Sequence, residues 1–270
     1  MTSPKPAVIA NPWGQLRQFT DARIALGRTG ASLPTQPQLA FQLAHAQARD
    51  AVHQALDVPQ LLQDMAAAGL AEPCVLHSEA ADRLEYLQRP DLGRRLDAPS
   101  RERLKALPPG RGEGRDIAIV IADGLSSLAV AQNAVPLLVA LQRLLAGDVR
   151  VAPPVVVEQG RVAIGDEIGE LLGARLVLLL IGERPGLSSP DSMGAYLTWA
   201  PRVGLTDASR NCISNIRPAG LPWDEAAAKV HYLLTEMRAR QLSGVGLKDE
   251  TVVAAVGKGP QRGNFLLGQL

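Results

Sequence analysis

The sequence is poor in aromatic residues: three Phe, three Trp and three Tyr make up 3% of 270 positions. Proteins that read single-stranded nucleic acid stack bases on aromatic platforms, and this chain has few to offer. It also lacks an excess of either charge, with Lys+Arg 28 against Asp+Glu 27. No positive field is therefore available to hold a nucleic-acid backbone or an anionic membrane surface. These two shortages argue against nucleic acid and membrane as main partners. Cysteine is scarce as well. Cys74 and Cys212 stand far apart, form no CxxC pair and supply no disulfide framework, which fits a reducing cytosol. Long apolar runs are missing too. The longest, Leu176 to Ile181, is far too short to span a bilayer and reads as a buried strand. Met1 to Trp13 carries no apolar run of the secretory type.

What remains is ordinary globular material, 46% hydrophobic and 20% charged. A chain near this size buries roughly three quarters of its unfolded surface. Its core must be built from Leu, Val, Ile and Ala. Residues 1–37 read as irregular, with five prolines, although Trp13, Leu16 and Phe19 recur every third residue, enough for a short amphipathic turn. Gln38 to Leu56 reads as an alanine-rich helix. Ser78 is a candidate cap for a helix through Gln88, ending before Pro90. Residues 89–115, rich in Arg, Pro and Gly, mark the best domain boundary.

Beyond the boundary the texture changes. Asp116 to Ala122 is a nearly continuous β-branched run, as a parallel strand covered on both faces requires. Asp123–Ser127 turns into a helix through about Ala146, with Pro136 inside it. Val155–Val157 and Arg175–Ile181 read as further strands. Ile164–Leu172 reads as a short helix stopped by Gly173, and Asp224–Gln241 as a long one, with Tyr196–Trp199 extended. Alternation of strand and helix is the α/β signal. The reading is a Rossmann-like doubly wound parallel sheet with a helical N-terminal part: an irregular segment 1–37, helices over 38–110, and the Rossmann-like domain over 111–270.

Such a sheet binds ligands outside the carboxyl ends of its strands. The loops there are Asp123–Ser127, the segment after Val157, and Gly182–Ser189. Familiar chemistry is missing from them. Gly110, Gly112 and Gly114 precede the strand, whereas a dinucleotide fingerprint must follow it, and no P-loop motif occurs. His45, His53, His77 and His231 form no HExxH and have no ligand-spaced partner, so satisfied or exposed histidines are expected. Gly124-Leu-Ser126 departs from the GxSxG elbow, and Ser126 and Ser127 fit better as helix caps. Cys212 is either a reactive thiol with its pKa lowered by Arg210 or a small packed residue in a loop. Glu183, at the end of a strand, could pair with Arg184, cap a turn, or accept a hydrogen bond from a ligand amide. A crevice without a self-sufficient catalytic set points to the binding half of a larger enzyme.

Six stretches, taken in order, resemble the small (light) chain of ethanolamine ammonia-lyase. They are Arg23–Thr35, Phe41–Asp50, Ile121–Ser127, Gln159–Gly169, Ile181–Gly186 and Arg210–Pro218, and the likeness runs from about residue 10 onward. The resemblance implies an adenosylcobalamin enzyme that turns ethanolamine into acetaldehyde and ammonia. A large subunit with a (β/α)₈ barrel carries the radical chemistry, and the small one caps the corrin at the interface of a hetero-oligomer. It also implies cofactor contacts at Val162 in Gly-Arg-Val-Ala-Ile-Gly, Glu183 in Ile-Gly-Glu-Arg-Pro-Gly and Cys212 in Arg-Asn-Cys-Ile-Ser-Asn, with Arg161 and the Asp123–Ser127 turn as lesser candidates. On this reading Val162 offers apolar contact, Glu183 accepts from a rim amide and Cys212 is a small packed residue; the plain alternative for Val162 is a core valine. The resemblance assigns no catalytic residue to this chain.

The residues two before the histidines are Leu43, Ala51, Val75 and Lys229, never Asp. The Asp-x-His-x-x-Gly pattern that ligates cobalt elsewhere is thus missing, and base-on cobalamin is expected. A bacterial microcompartment, where the organism builds one, or otherwise the cytoplasm, is the implied location. Two competing readings are a scaffold or encapsulation module using residues 1–20 and a stand-alone nucleotide-binding oxidoreductase; the misplaced glycines disfavour the latter.

Overall fold

The structure, a computed structural model, describes residues 8–107, 115–145, 147 and 149–250. The boundary glycines Gly110, Gly112 and Gly114, and the expected helix end at Ala146, lie outside the described residues. The chain is α/β. Its six strands are β1 (Cys74–His77), β2 (Arg115–Ala122), β3 (Val155–Glu158), β4 (Ala174–Gly182), β5 (Met193–Trp199) and β6 (Arg210–Ile216). They form one sheet in the order β1-β3-β2-β4-β5-β6. The first four pair in parallel, while β4–β5 and β5–β6 are antiparallel. The helices are α1 (Thr35–His53), α2 (Val58–Ala67), α3 (Arg83–Gln88), α4 (Ala98–Lys105), α5 (Ser127–Gln142), α6 (Ile164–Leu171) and α7 (Trp223–Arg240).

The apolar run of β2 is explained by its two covered faces. Ile117, Ile119 and Ile121 pack with α2, α5 and α7, whereas Ala118, Val120 and Ala122 pack with α4 and α6. In β4, Leu176, Leu178 and Leu180 divide in the same way from Val177, Leu179 and Ile181. Because successive side chains of a strand point to opposite faces, a strand covered on both sides must be apolar at every position.

The chain ends of the helices follow local chemistry. Ser126 is the N-cap of α5, its Oγ accepting from the Ala129 N–H at 3.2 Å, and Gly173 (φ +62°) ends α6. Ser78 does not start a helix. Its backbone bridges to Leu96, and Asp82 caps α3 by accepting from the Glu85 N–H at 2.9 Å. The expected extended segment Tyr196–Trp199 is the end of the seven-residue β5. Two strands escape the sequence pattern. β1, within the stretch read as helical, is only four residues long. β6, read as a loop, keeps only Arg210, Ile213 and Ile216 buried. Its pairing with β5 is irregular between Met193 and Ala195, which breaks the alternation that would betray a strand.

α1 stands apart from this packing. Of its nineteen residues only Ala44 and Ala51 are buried, and Leu39 and Leu43 are exposed. The short 3₁₀ helix Pro12–Gln18 likewise leaves its apolar stripe open, with Trp13 61% and Phe19 64% exposed. Among the described residues no helix is long and apolar enough to cross a membrane.

Candidate functional site

The parallel strands β3, β2 and β4 end side by side. The loop after β2 leads into α5, on one face of the sheet, and the loop after β3 leads into α6, on the other. Where such connections diverge, a crevice opens at the carboxyl ends of the strands. A cleft of about 370 Å³ lies there, lined by Tyr86, Gly124, Leu125, Arg161, Val162, Ile181, Gly182, Glu183, Arg184 and Tyr196. Two glycines let its walls close. A Cβ on Gly182 would meet the Ser126 carbonyl oxygen at 2.0 Å, and one on Gly124, already at φ +60°, would meet the Gly182 carbonyl oxygen at 2.3 Å.

The floor is a polar network around one buried aromatic ring. Tyr86 is fully buried and its hydroxyl donates to the Gly160 carbonyl at 3.0 Å. The Arg161 and Arg83 guanidinium carbons lie 4.2 and 4.8 Å from its ring centroid. Arg83 also donates to the Val52 and Gly124 carbonyls, both at 2.8 Å, and pairs with Asp123 at 3.3 Å. Asp123, almost wholly buried, accepts from the Gly160 N–H at 3.0 Å. One arginine thus ties α1, α3 and the end of β2 together. Arg161 donates to the Tyr86 carbonyl at 3.2 Å, but its Nε is buried without a partner among the described residues, as is Gln159 Oε1.

Burial pushes the Asp123 carboxyl up to about 6, against the opposing pull of Arg83 and backbone N–H groups. The folded chain therefore holds this proton at pH values where the unfolded chain has lost it. By linkage, this group's contribution to stability is greatest below about pH 4 and is lost as pH rises to about 6. Urea titrations of the wild type and of Asp123→Asn at several pH values should accordingly show the wild type losing stability relative to the variant across that window, with a constant gap above it.

Glu183 sits on the rim. Ser192 donates to its Oε2 at 2.5 Å, Ser214 donates to Oε1, and the Asn215 N–H reaches Oε2 at 3.4 Å. A carboxylate offers about four acceptor sites, so one is left for a group in the cleft. Of the three alternatives left open by its sequence position, pairing with Arg184 is not seen among the described residues. Cys212 lies on edge strand β6, not in a loop, opposite Tyr196 of β5. Its thiol is pushed up, chiefly by desolvation, with a hydrogen bond to Tyr196 opposing and the Glu183 charge adding. Arg210 does not activate it, because that guanidinium is buried in a pair with Asp166. Cys212 is exposed, so the structure gives neither an activated thiol nor a packed one. Val162 and Glu183 thus share the cleft, and Cys212 joins through Tyr196. Tyr86, Arg83 and Tyr196 carry no sequence motif and were not anticipated.

A family model described as "Ethanolamine ammonia-lyase light chain (EutC)" matches residues 10–248, a span that contains every residue of the cleft. The chain belongs to the ethanolamine ammonia-lyase light-chain family. Relatives agree over nearly their whole lengths. A protein of Azotobacter vinelandii named ethanolamine ammonia-lyase small subunit is 59% identical over 271 residues, 100% of each chain. Namesakes from Pseudomonas aeruginosa strain PAO1 and Pseudomonas putida strain GB-1 are 59% identical over 261 residues and 57% over 263. They cover 96% of this chain in both cases, and 95% and 96% of their own. Membership in the ethanolamine ammonia-lyase small subunits implies a lyase complex with a large-subunit partner.

Proposed function

We propose that this chain forms the corrin-capping wall of an adenosylcobalamin-dependent ethanolamine ammonia-lyase. It completes the cofactor pocket against the large subunit and carries no catalytic residue of its own. Residues 111–270 are the Rossmann-like capping domain on this reading, with 38–110 adding helices and strand β1. When bound, the cofactor supplies the radical chemistry; the protein supplies orientation and shielding.

The observation that carries the proposal is the cleft itself. Its apolar lining of Leu125, Val162 and Ile181, with the unfilled acceptor site of Glu183 on the rim, suits a flat apolar disc edged with amides. The orphaned Arg161 Nε is a further donor that lacks a partner among the described residues. At about 370 Å³ the cleft falls in the range that serves drug-sized ligands, so it grips one part of a macrocycle and leaves the rest to another surface. On this reading cobalt keeps its own base, because none of the four histidines is preceded two residues earlier by Asp.

The test is reconstitution. Either subunit alone should release no ammonia from ethanolamine, and the cobalamin spectrum should respond only when both are present. Ammonia release by this chain alone, or a signature of histidine-ligated cobalt, would refute the reading. A second role is favoured by the open stripe of Trp13 and Phe19, which suits docking inside a microcompartment shell. Deleting residues 1–20 should then abolish encapsulation and spare catalytic assembly.

A further inference from the structure

α1 is not built like a surface helix. An outer helix of a globular chain turns an apolar stripe to the core and charged residues to water. In its nineteen positions α1 has only Arg49 and Asp50 as Lys, Arg, Asp or Glu, and these two pair with each other at 3.7 Å. Its apolar side chains point to three sides. Ala44 and Ala51, two turns apart, are buried against the chain. Leu39 and Leu43, one turn apart on a second side, are 58% and 61% exposed. Phe41, 41% exposed, meets His45 on a third side, with ring centroids 6.3 Å apart. Of the fourteen large apolar side chains exposed among the described residues, nine lie between Val8 and Leu43, so the excess is local to this part of the chain. Apolar all round and poor in charge, α1 has the composition of a helix covered by a second body.

The helix ends at the cleft. Arg83 donates to the Val52 carbonyl in its last turn and to the Gly124 carbonyl in the cleft wall, both at 2.8 Å. Ser127, the first residue of α5, donates to the carbonyl of Gln54, which directly follows α1, at 2.6 Å. On the opposite rim, Arg23 of the N-terminal segment donates to the Leu187 carbonyl at 3.2 Å, in the loop that Glu183 begins. The open apolar surface is therefore continuous with the walls of the cleft, and a body that closes the cleft mouth covers both. We propose that α1 is the docking helix for the large subunit, which buries Leu39, Phe41 and Leu43. The inference goes beyond the corrin reading and takes from it only the side of the chain that the partner covers. One guanidinium, that of Arg83, then links the docked helix to the cleft floor.

Hydroxyl-radical labelling of the wild-type full chain, free and in the two-subunit complex, tests this directly. Leu39, Phe41 and Leu43 should be labelled in the free chain and protected in the complex. In parallel, L39E/L43E should weaken association with the large subunit by about a hundredfold, as expected for two leucines in the centre of an interface. Glutamate is a good helix former and both positions face water, so the variant's own urea midpoint should stay that of the wild type. Leu144, 41% exposed just past the end of α5 that points away from the cleft, is the control, and L144E should assemble normally. Labelling of α1 that persists in the complex, or an L39E/L43E variant that assembles like the wild type, would overturn the proposal. Protection already present in the free, monomeric chain would assign the face to another segment of this chain instead. Protection that appears with self-association of the free chain would assign it to a second copy. The corrin reading fails separately: a complex that protects α1 but leaves the cobalamin spectrum unchanged refutes that reading and keeps the docking helix.

Discussion

Arg210→Met should lower the unfolding free energy by about 3–5 kcal/mol, the cost of leaving a buried charge without its partner. The side chains of Arg210 and Asp166 are 2% and 3% exposed. Arg210 also donates to the carbonyls of Thr206 and Leu205, so it fixes the turn that feeds β6 to the helix behind it. Without it, Asp166 has no ion-pair partner among the described residues. Burial already pushes the Asp166 carboxyl up to about 6 despite the arginine, so the abandoned residue takes up a proton and becomes neutral. Replacing both partners, as in Asp166→Leu with Arg210→Met, should recover much of the loss, because a well-packed apolar pair has no charge to desolvate. Urea denaturation of the two single variants and the double variant measures the coupling directly. Similar losses in the double and the single variants would show that the pair is not what holds this corner.

Tyr86→Ala should be comparably damaging, by about 3–5 kcal/mol for an emptied aromatic site. The ring is fully buried, and two guanidiniums rest against it. Removing it opens a void under the cleft and takes away the surface on which Arg161 lies. Tyr86→Phe keeps the ring and loses only the hydroxyl donated to Gly160, a change of about 1 kcal/mol. Chemical denaturation ranks the two variants. A corrinoid titration of the assembled complex then asks whether the phenylalanine variant, with the ring preserved, keeps its cleft. A Tyr86→Ala variant as stable as the wild type would mean that the ring is not the keystone described here.

The legible parts of the fold are those in which one strand or helix carries its own signal. β2 and β4 are apolar at successive positions because both faces are covered, α6 and α7 lie within a residue of their expected bounds, and α5 starts at its expected cap but ends at Gln142, short of the expected Ala146. β6 was illegible. It is an edge strand whose exposed positions hold Cys212, Ser214 and Asn215. β1 was too short to show a period. The candidate site was legible in outline, since the loops after β2, β3 and β4 do converge on one cleft. Its floor was not. Arg83 and Tyr86 come from a six-residue helix, and Tyr86 reaches the Gly160 carbonyl more than seventy residues along the chain. Long-range side-chain hydrogen bonds leave no spacing rule in a sequence. Glu183 and Cys212 stood out from their own neighbourhoods with their roles left open, while Val162, and the cofactor-contact role of all three, entered through the resemblance.

The pairing of β1 with β3 has a kinetic consequence. Cys74 sits beside Val155, with β2 and α5 threaded between them in the sequence, so this edge of the sheet closes by joining distant chain segments. Loop-closure entropy makes such a contact late relative to the β2–α5–β3 unit that forms within the span it brackets. The same edge is then the natural unit to open first, as a small foldon with low protection of its amides against exchange. A partner that seals this edge of the sheet would slow that opening.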